Sequence, residues 1–325
     1  MNTYLNFISY YLPEKLLTNE MISNSFPEWG VDKIADKIGI KSRCIAAEDE
    51  FVSDMATKAA ENLFSEYEID KTSIDFVILC TQNPDYKLPT TACIVQNNLG
   101  LNTNTGAIDI NLGCSGFVYG LGMAKSMVIS GLAKKVLLIT ADVYSKIIAP
   151  EDKSNLTIFG DAATASIISS ESIGFKINDF EFGTDGSGAD KLIVKNGGAR
   201  NPLLENSEND YLYMNGAEIF SFTNEAVPKL LNAVLTKSNV RLEEIDFFVF
   251  HQANKFMLNT IRKKIGIPTE KFIIDMEDIG NTVSSTIPIA IKRSISKNIF
   301  TKGNKILLAG FGVGLSWAAN ILIYE

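Results

Sequence analysis

Short, nearly unbroken apolar runs alternate along this chain with longer amphipathic segments, and that alternation restricts its fold more than any other feature. Ile74-Asp75-Phe76-Val77-Ile78-Leu79-Cys80, Lys135-Val136-Leu137-Leu138-Ile139-Thr140 and Lys305-Ile306-Leu307-Leu308-Ala309 have the length and β-branched content of buried strands. Continuous rather than alternating hydrophobicity marks a sheet covered on both faces by helices. Helical periodicity fits Met55–Tyr67, Cys114–Gly131, Glu218–Ser238 and Lys255–Gly266. The order implies α/β architecture.

The chain also echoes itself. A polar turn, Tyr67 to Ser73, leads into the run Ile74–Leu79 and then Cys80-Thr81-Gln82-Asn83. Later Asn239 to Glu244 leads into Ile245–Phe250 and then His251-Gln252-Ala253-Asn254. Each part closes on a glycine-bearing turn entering a strand, Phe159–Ile168 in one and Gly312–Leu322 in the other. At 325 residues there is room for two related halves, with the polar stretch Asp185–Asp210 between them.

Composition excludes several classes. Apolar residues make up 46% and charged residues 21%, which is ordinary for a folded globular chain. No apolar run reaches the roughly 18–20 residues of a membrane span, and the start, MNTYLNFISYYLPEK, does not read as an export signal. Cys44, Cys80, Cys93 and Cys114 show no C-x-x-C pairing and read as cytosolic thiols. A formal charge of -8 argues against general nucleic-acid binding. Arg262-Lys263-Lys264, the densest basic cluster, is either a docking patch for an acidic partner or a solvated helix face. With His251 the sole histidine, a His-rich metal site is excluded.

Four positions carry candidate chemistry. Cys114 lies where the run Ile108–Leu112 passes through small residues into a helical pattern. A thiol at a helix N-terminus meets unpaired N–H groups and the positive end of the dipole, which favour thiolate. Taken alone, it reads equally as a small buried hydrophobe. Cys80, Cys93 and Cys44 lack the strand–small-turn–helix setting. His251 ends the strand Phe247–Phe250, where α/β sheets present site groups, although a structural imidazole fits the position too. Asn281, in Gly280-Asn281-Thr282, reads by itself as a turn with a cap. Gly310-Phe311-Gly312-Val313-Gly314 is not G-x-G-x-x-G and precedes a strand, which rules out a dinucleotide loop. Its glycines would instead let backbone N–H groups approach a ligand.

Together these segments resemble the β-ketoacyl-acyl-carrier-protein synthase III family of the thiolase superfamily, over nearly the whole chain. The motifs come in family order: Gly39-Ile40-Lys41-Ser42-Arg43, the Cys114-Ser115-Gly116-Phe117 segment, Phe159-Gly160-Asp161, Met214–Phe220, His251–Asn254, Gly280–Thr282 and the glycine-rich turn before Trp317. Any one is weak; the ordered set overrides the bland readings of Cys114, His251 and Asn281.

The resemblance implies a thiolase-like α/β fold, with two related halves forming a five-layered αβαβα body. Residues 1–172 would carry Cys114, and residues 173–325 would carry His251 and Asn281. It further implies that Cys114 takes an acyl group from acyl-CoA or an acyl-carrier thioester. The N–H groups of Cys114 and Gly314 would form the oxyanion hole. His251 and Asn281 would hold the carbonyl of malonyl-ACP as CO₂ leaves and the carbanion attacks. No metal or redox cofactor is implied; CoA or phosphopantetheine thioesters are the substrates.

By the same resemblance Asn254 and Gly216 line the pantetheine tunnel and Phe220 lies near its mouth. Leu88 closes the acyl pocket of a neighbouring subunit, which implies a homodimer. Lys37 and Lys153 stand where arginines usually meet the CoA phosphates, with the charge but without the bidentate fork. Lys255, Arg262, Lys263 and Lys264 would dock the acyl carrier protein.

Two departures stand out: Trp29 is displaced by a four-residue insertion before Gly39, and Phe256 replaces a carrier-contacting arginine. They bear on CoA priming more than on condensation. The implied setting is cytoplasmic acyl-chain biosynthesis, with no membrane and no nucleic acid. An acyltransferase without decarboxylation is the nearby alternative, but a neutral Asn281 suits an enolate better than it supports a general base. A hydroxymethylglutaryl-CoA-synthase-like reaction would want an added acidic base that no motif supplies. A non-catalytic partner subunit would lack the nucleophile.

Overall fold

The apolar runs become strands of one ten-stranded sheet. The structure of the protein, a computed structural model, describes residues 1–202 and 210–325. The stretch expected between the halves therefore lies partly outside the described residues. In chain order the sheet strands are β1 (Tyr4–Tyr11), β2 (Phe76–Cys80), β3 (Gly106–Ile110), β4 (Lys135–Asp142) and β5 (Ala162–Ser169). They continue as β6 (Phe175–Thr184), β7 (Phe247–Phe250), β8 (Phe272–Ile273), β9 (Lys305–Gly312) and β10 (Ser316–Tyr324).

Across the sheet the order is β8-β7-β9-β10-β6-β1-β5-β4-β2-β3. Adding five to each label in β3-β2-β4-β5-β1 gives β8-β7-β9-β10-β6, so the halves repeat one topology. The strand directions repeat as well. β2 pairs in parallel with β3 and β4, and β7 with β8 and β9; β4–β5 and β9–β10 are antiparallel. The seam is short, Tyr4 opposite Lys176 and Leu5 opposite Phe175. The first repeat closes with β5 at Ser169 and the second opens with β6 at Phe175.

Helix patterning follows from layer position. α1 (Val52–Glu66) packs its Met55, Ala59 and Leu63 face on β1 and β5. α2 (Gly116–Ser130) is apolar nearly all round, as a helix covered on every side must be. Its single charge, Lys125, donates to the Asn178 carbonyl at 2.7 Å. α2 and α5 (Thr286–Ser296) fill the middle layer, and one core cluster joins Phe117, Leu121, Ile287 and Ile291 to strands of both halves. α3 (Gly216–Lys237) and α4 (Lys255–Ile265) cover the second half from outside. The five expected layers are present. Strand and helix ends fall within about two to three residues of expectation, ordinary fraying of pattern-based bounds.

Arg43 shows why a charge belongs in the Gly39–Arg43 segment. Its side chain is wholly buried, and burial pulls the guanidinium down to about 10. Nε donates to the Thr157 carbonyl at 3.0 Å, and Nη1 donates to Asn19 Oδ1. Its stem lies against Gly280 and Gly160, on the two loops that build the site described next. Arg43→Met should leave the Thr157 and Asn19 oxygens without donors and destabilise the fold by about 1–3 kcal/mol. That loss would be read as a lower urea midpoint at unchanged slope; an unchanged midpoint would contradict it.

Candidate active site

Cys114 sits in the turn between β3 and α2, one residue before the helix cap Ser115. Its pocket wall comes from the other half. A Cβ on Gly312, the last residue of β9, would stand 2.8 Å from both Cβ and Sγ of Cys114, so only glycine lets the strand end press this close. Ser115 Oγ and Ser316 Oγ, 2.7 Å apart, tie the same turn to the start of β10.

The backbone N–H of Val313 favours the charged form of the sulfur. The resemblance placed the second oxyanion-hole amide at Gly314, in the same turn, where φ is 135°. The expected thiolate is corrected. Burial pushes the Cys114 thiol up to about 12, and the N–H groups of Val313 and Cys114 offset only part of that. Among the described residues no cation favours the charged form, so desolvation outweighs the helix terminus.

His251 caps β7 with its N–H bonded to the Ala309 carbonyl at 2.8 Å. The ring stands edge-on to Phe311, with centroids 5.8 Å apart. Burial drives the imidazole down to about 3, so it is neutral at ordinary pH. Nδ1 lies 2.8 Å from Thr286 Oγ1, and Nε2 lies 3.5 Å from Asn281 Nδ2.

Asn281 is fixed by the other half. Its N–H donates to the Ile158 carbonyl at 2.8 Å, and its carbonyl accepts from Gly160 N–H at 3.0 Å, a two-bond stitch to the Phe159-Gly160-Asp161 loop. Asp161 anchors that loop in turn, accepting from the N–H groups of Ala46 at 2.9 Å and Ser145 at 3.0 Å. The side-chain oxygen of Asn281 accepts from Val283 N–H at 2.9 Å, which turns its amide nitrogen toward His251.

The three residues line one mostly apolar cavity of about 110 Å³, together with Asn254, Gly216 and Phe159. Asn254 caps α4 through Met257 N–H, and Gly216 opens α3. Phe220 stacks on Phe256, which is 63% exposed.

Other expected positions stand outside the cavity. Lys37 is exposed in the last turn of the Val31–Ile38 helix. Lys153 is paired with Glu28 at 2.6 Å. Leu88 points outward, 82% exposed. On α4, Lys255 lies against Gly39 and Lys263 is exposed, while Arg262 donates to the Ile267 carbonyl and Lys264 to the Asn224 carbonyl. Among the described residues no cluster of His, Cys, Asp and Glu could hold a metal ion, and no helix is long and apolar enough to cross a membrane.

Sequence reasoning missed Val313, Val283 and Thr286. A threonine at a helix start carries a capping signal, yet nothing in its neighbours points it at an imidazole 35 residues away.

Comparison with known proteins bears on the whole chain. The family model described as 3-oxoacyl-[acyl-carrier-protein (ACP)] synthase III matches residues 108–186, and its C-terminal counterpart matches residues 235–324. The β-ketoacyl-[acyl-carrier-protein] synthase III of Clostridium perfringens is 37% identical over 314 residues, 96% of each chain. The β-ketoacyl-[acyl-carrier-protein] synthase III 2 of Halalkalibacterium halodurans is 37% identical over 97% of this chain and 94% of its own. A crystal structure of a 3-oxoacyl-(acyl-carrier-protein) synthase III superposes with a TM-score of 0.96 at 45% identity, covering all of both chains. The Thermus thermophilus β-ketoacyl-[acyl carrier protein] synthase III gives 0.91 at 34% identity, over 99% of each.

The electrostatics of His251 yield a direct expectation. Its pKa in the fold lies below the unfolded value, so it contributes stability that is present above about pH 6.5 and lost as pH falls toward 3. The resonances of this single imidazole should therefore not titrate between about pH 8 and about pH 5. A midpoint inside that range would show the ring to be solvated.

Proposed function

The chain belongs to the 3-oxoacyl-[acyl-carrier-protein] synthase III family, and from that membership we infer that Cys114, His251 and Asn281 carry out its condensation. The protein is an acyltransferase of fatty-acid biosynthesis, of the β-ketoacyl-ACP synthase III type. The observation that carries the residue assignment is the meeting of the three side chains in one cavity, from loops of both halves.

In the first half-reaction the buried thiol needs a base. His251 Nε2 takes the S–H proton as sulfur attacks the thioester carbonyl of acyl-CoA or acyl-ACP. The carbonyl oxygen becomes an oxyanion and is received by the N–H of Cys114 and an amide of the Phe311–Gly314 turn that presses on it. The departing thiolate regains the proton, and the acyl group stays on Cys114.

Malonyl-ACP then enters. Its thioester carbonyl lies between His251 and Asn281, and the malonyl C–C bond breaks to release CO₂. The electron pair moves onto that oxygen as an enolate, where donors fixed in advance help most. The enolate carbon attacks acyl-Cys114, the C–S bond breaks, and a β-ketoacyl thioester leaves. A neutral amide and a neutral imidazole add no charge that decarboxylation would have to overcome. The chemistry so derived asks for thioester substrates and no further cofactor.

The same reading extends to partners. Leu88 and Tyr86 are exposed beside Pro89, and β3 is the edge strand of the sheet. A second copy covering this face would bring Leu88 to its neighbour's acyl pocket, so we assign a homodimer. Lys255, Lys263 and the α4 cations, beside Phe256, offer an acidic carrier protein both charge and an apolar anchor. Lys37 and Lys153 remain for CoA phosphates, with Lys153 having to exchange Glu28 for them. We place the protein in the cytoplasm.

Intact-protein mass spectrometry after exposure to acyl-CoA should show one acyl adduct that Cys114→Ala abolishes; an adduct surviving in that variant would refute the nucleophile. Asn281→Ala should retain the adduct and lose condensation with malonyl-ACP on the order of 10²–10³-fold.

A further inference from the structure

Cys114 can hold an acyl chain only where the space beside its sulfur admits one, and much of that surround is already committed. A Cβ on Gly312 would come within 2.8 Å of Sγ, so the strand end closes one side. His251 and Asn281 occupy another, and the cavity lined by Gly216 and Asn254 opens on a further one. The flank that remains is built by Gln82, Tyr144 and Phe159.

Tyr144 opens the short turn Tyr144–Ile147 after β4 and is 2% exposed. Its ring tilts on Phe159, a wall residue of the cavity, with centroids 5.0 Å apart. It belongs to the same core cluster as Cys114, Leu192 and Leu212. Burial foremost, and then a charge on Cys114, hold its hydroxyl protonated. That hydroxyl donates to Gln82 Oε1 at 2.6 Å. The same oxygen would stand 2.3 Å from a Cβ on Gly113, so it lies against the backbone that leads into Cys114.

An aliphatic side chain could fill this flank without a polar partner and would yield to a ligand by changing rotamer. A tyrosine ring has only two side-chain torsions, and here its tip is tied. Gln82 is tied as well: its N–H donates to Asp142 Oδ1 at 2.8 Å, and Asp142 Oδ2 accepts from Ser284 Oγ at 2.6 Å. Asn83 Oδ1 accepts from Val143 N–H at 3.3 Å, joining the same two loops. The ring is thus braced at its root by the end of β4 and at its tip by the loop after β2.

We propose that Tyr144, braced by Gln82, is the specificity residue that stops the acyl chain on Cys114, admitting short chains and refusing long ones. This rests on Cys114 being the acyl carrier, as read above. The cavity at the sulfur, about 110 Å³, is well below the roughly 300 Å³ at which pockets for larger ligands begin. A methylene pressed on a wall that does not yield costs on the order of 10-fold in rate or more.

The test is the rate at which the whole protein is acylated by matched acetyl, butyryl, hexanoyl and octanoyl thioesters of CoA and of carrier protein, read by intact-protein mass spectrometry. The wild-type rate should fall on the order of 10²-fold from acetyl to octanoyl. Tyr144→Leu should raise the octanoyl-to-acetyl ratio on the order of 10-fold or more. Tyr144→Phe and Gln82→Met keep the bulk but untie the ring, and should raise the ratio by less. A change that only loosens the fold slows every chain length alike and leaves the ratio in place.

An unmoved ratio in Tyr144→Leu would overturn the proposal, as would a wild-type protein that takes octanoyl as fast as acetyl. An unmoved ratio in both Tyr144→Phe and Gln82→Met would remove the part given to the hydrogen bond. Equal labelling of Cys114 by all lengths counts against the chain-length role alone. No adduct on Cys114 from any of the thioesters counts against the acyl-carrier reading, and the role of Tyr144 falls with it.

Discussion

Two backbone hydrogen bonds, from Asn281 N–H to the Ile158 carbonyl and from Gly160 N–H to the Asn281 carbonyl, hold the second half's donor loop against the first half. The rest of the site depends on them. The seam of the sheet alone, two residue pairs long, fixes where the halves lie but not the sub-ångström relation of their loops. With Asn281 stitched to the loop that Asp161 anchors, the amide faces His251 and the imidazole shares a cavity with Cys114. Glycine at 160 and at 280 is required there, since a Cβ would meet the Ile279 carbonyl in one case and the buried Arg43 stem in the other.

Burial sets the electrostatic character of this site. It keeps the cysteine a thiol and the histidine an uncharged base, with no carboxylate bonded to the imidazole among the described residues. A charged triad would favour one permanent ion pair. In the proposed reaction two neutral partners would develop charge only as it proceeds, where the low dielectric makes each fixed N–H count for more. A buried carboxyl, Asp142, is itself pushed up to about 7 by desolvation and is occupied with Gln82 N–H and Ser284 Oγ.

Most of the fold was legible because continuous apolar runs and helical periods are direct records of burial on two faces or on one. Cys114 and His251 were open to reading for the same reason, each standing where a strand ends or a helix begins, whereas Asn254 came from the family motif alone. Residues whose role depends on a turn's exact path were not legible. A valine at φ 54°, as at Val283, is a conformation that side-chain preference argues against. Lys153 reads as an available cation until the fold sets Glu28, 125 residues away, beside it. The state of the thiol depends on Phe311 and Gly312 closing over it, which no local pattern records.

The repeated strand order has a consequence for how such a catalyst arises. Cys114 lies in the connection from β3 to α2, and Asn281 lies in the equivalent connection from β8 to α5. Each leans on the opposite half's terminal strand pair: Cys114 on the turn joining β9 to β10, and Asn281 on the segment leading into β5. Two identical ancestral halves associating this way would have possessed a pair of equivalent pockets related by a pseudo-twofold axis. Divergence of the copies, one toward holding an electrophile and the other toward ripening a nucleophilic carbon, would merge them into a single asymmetric centre that neither copy could rebuild alone.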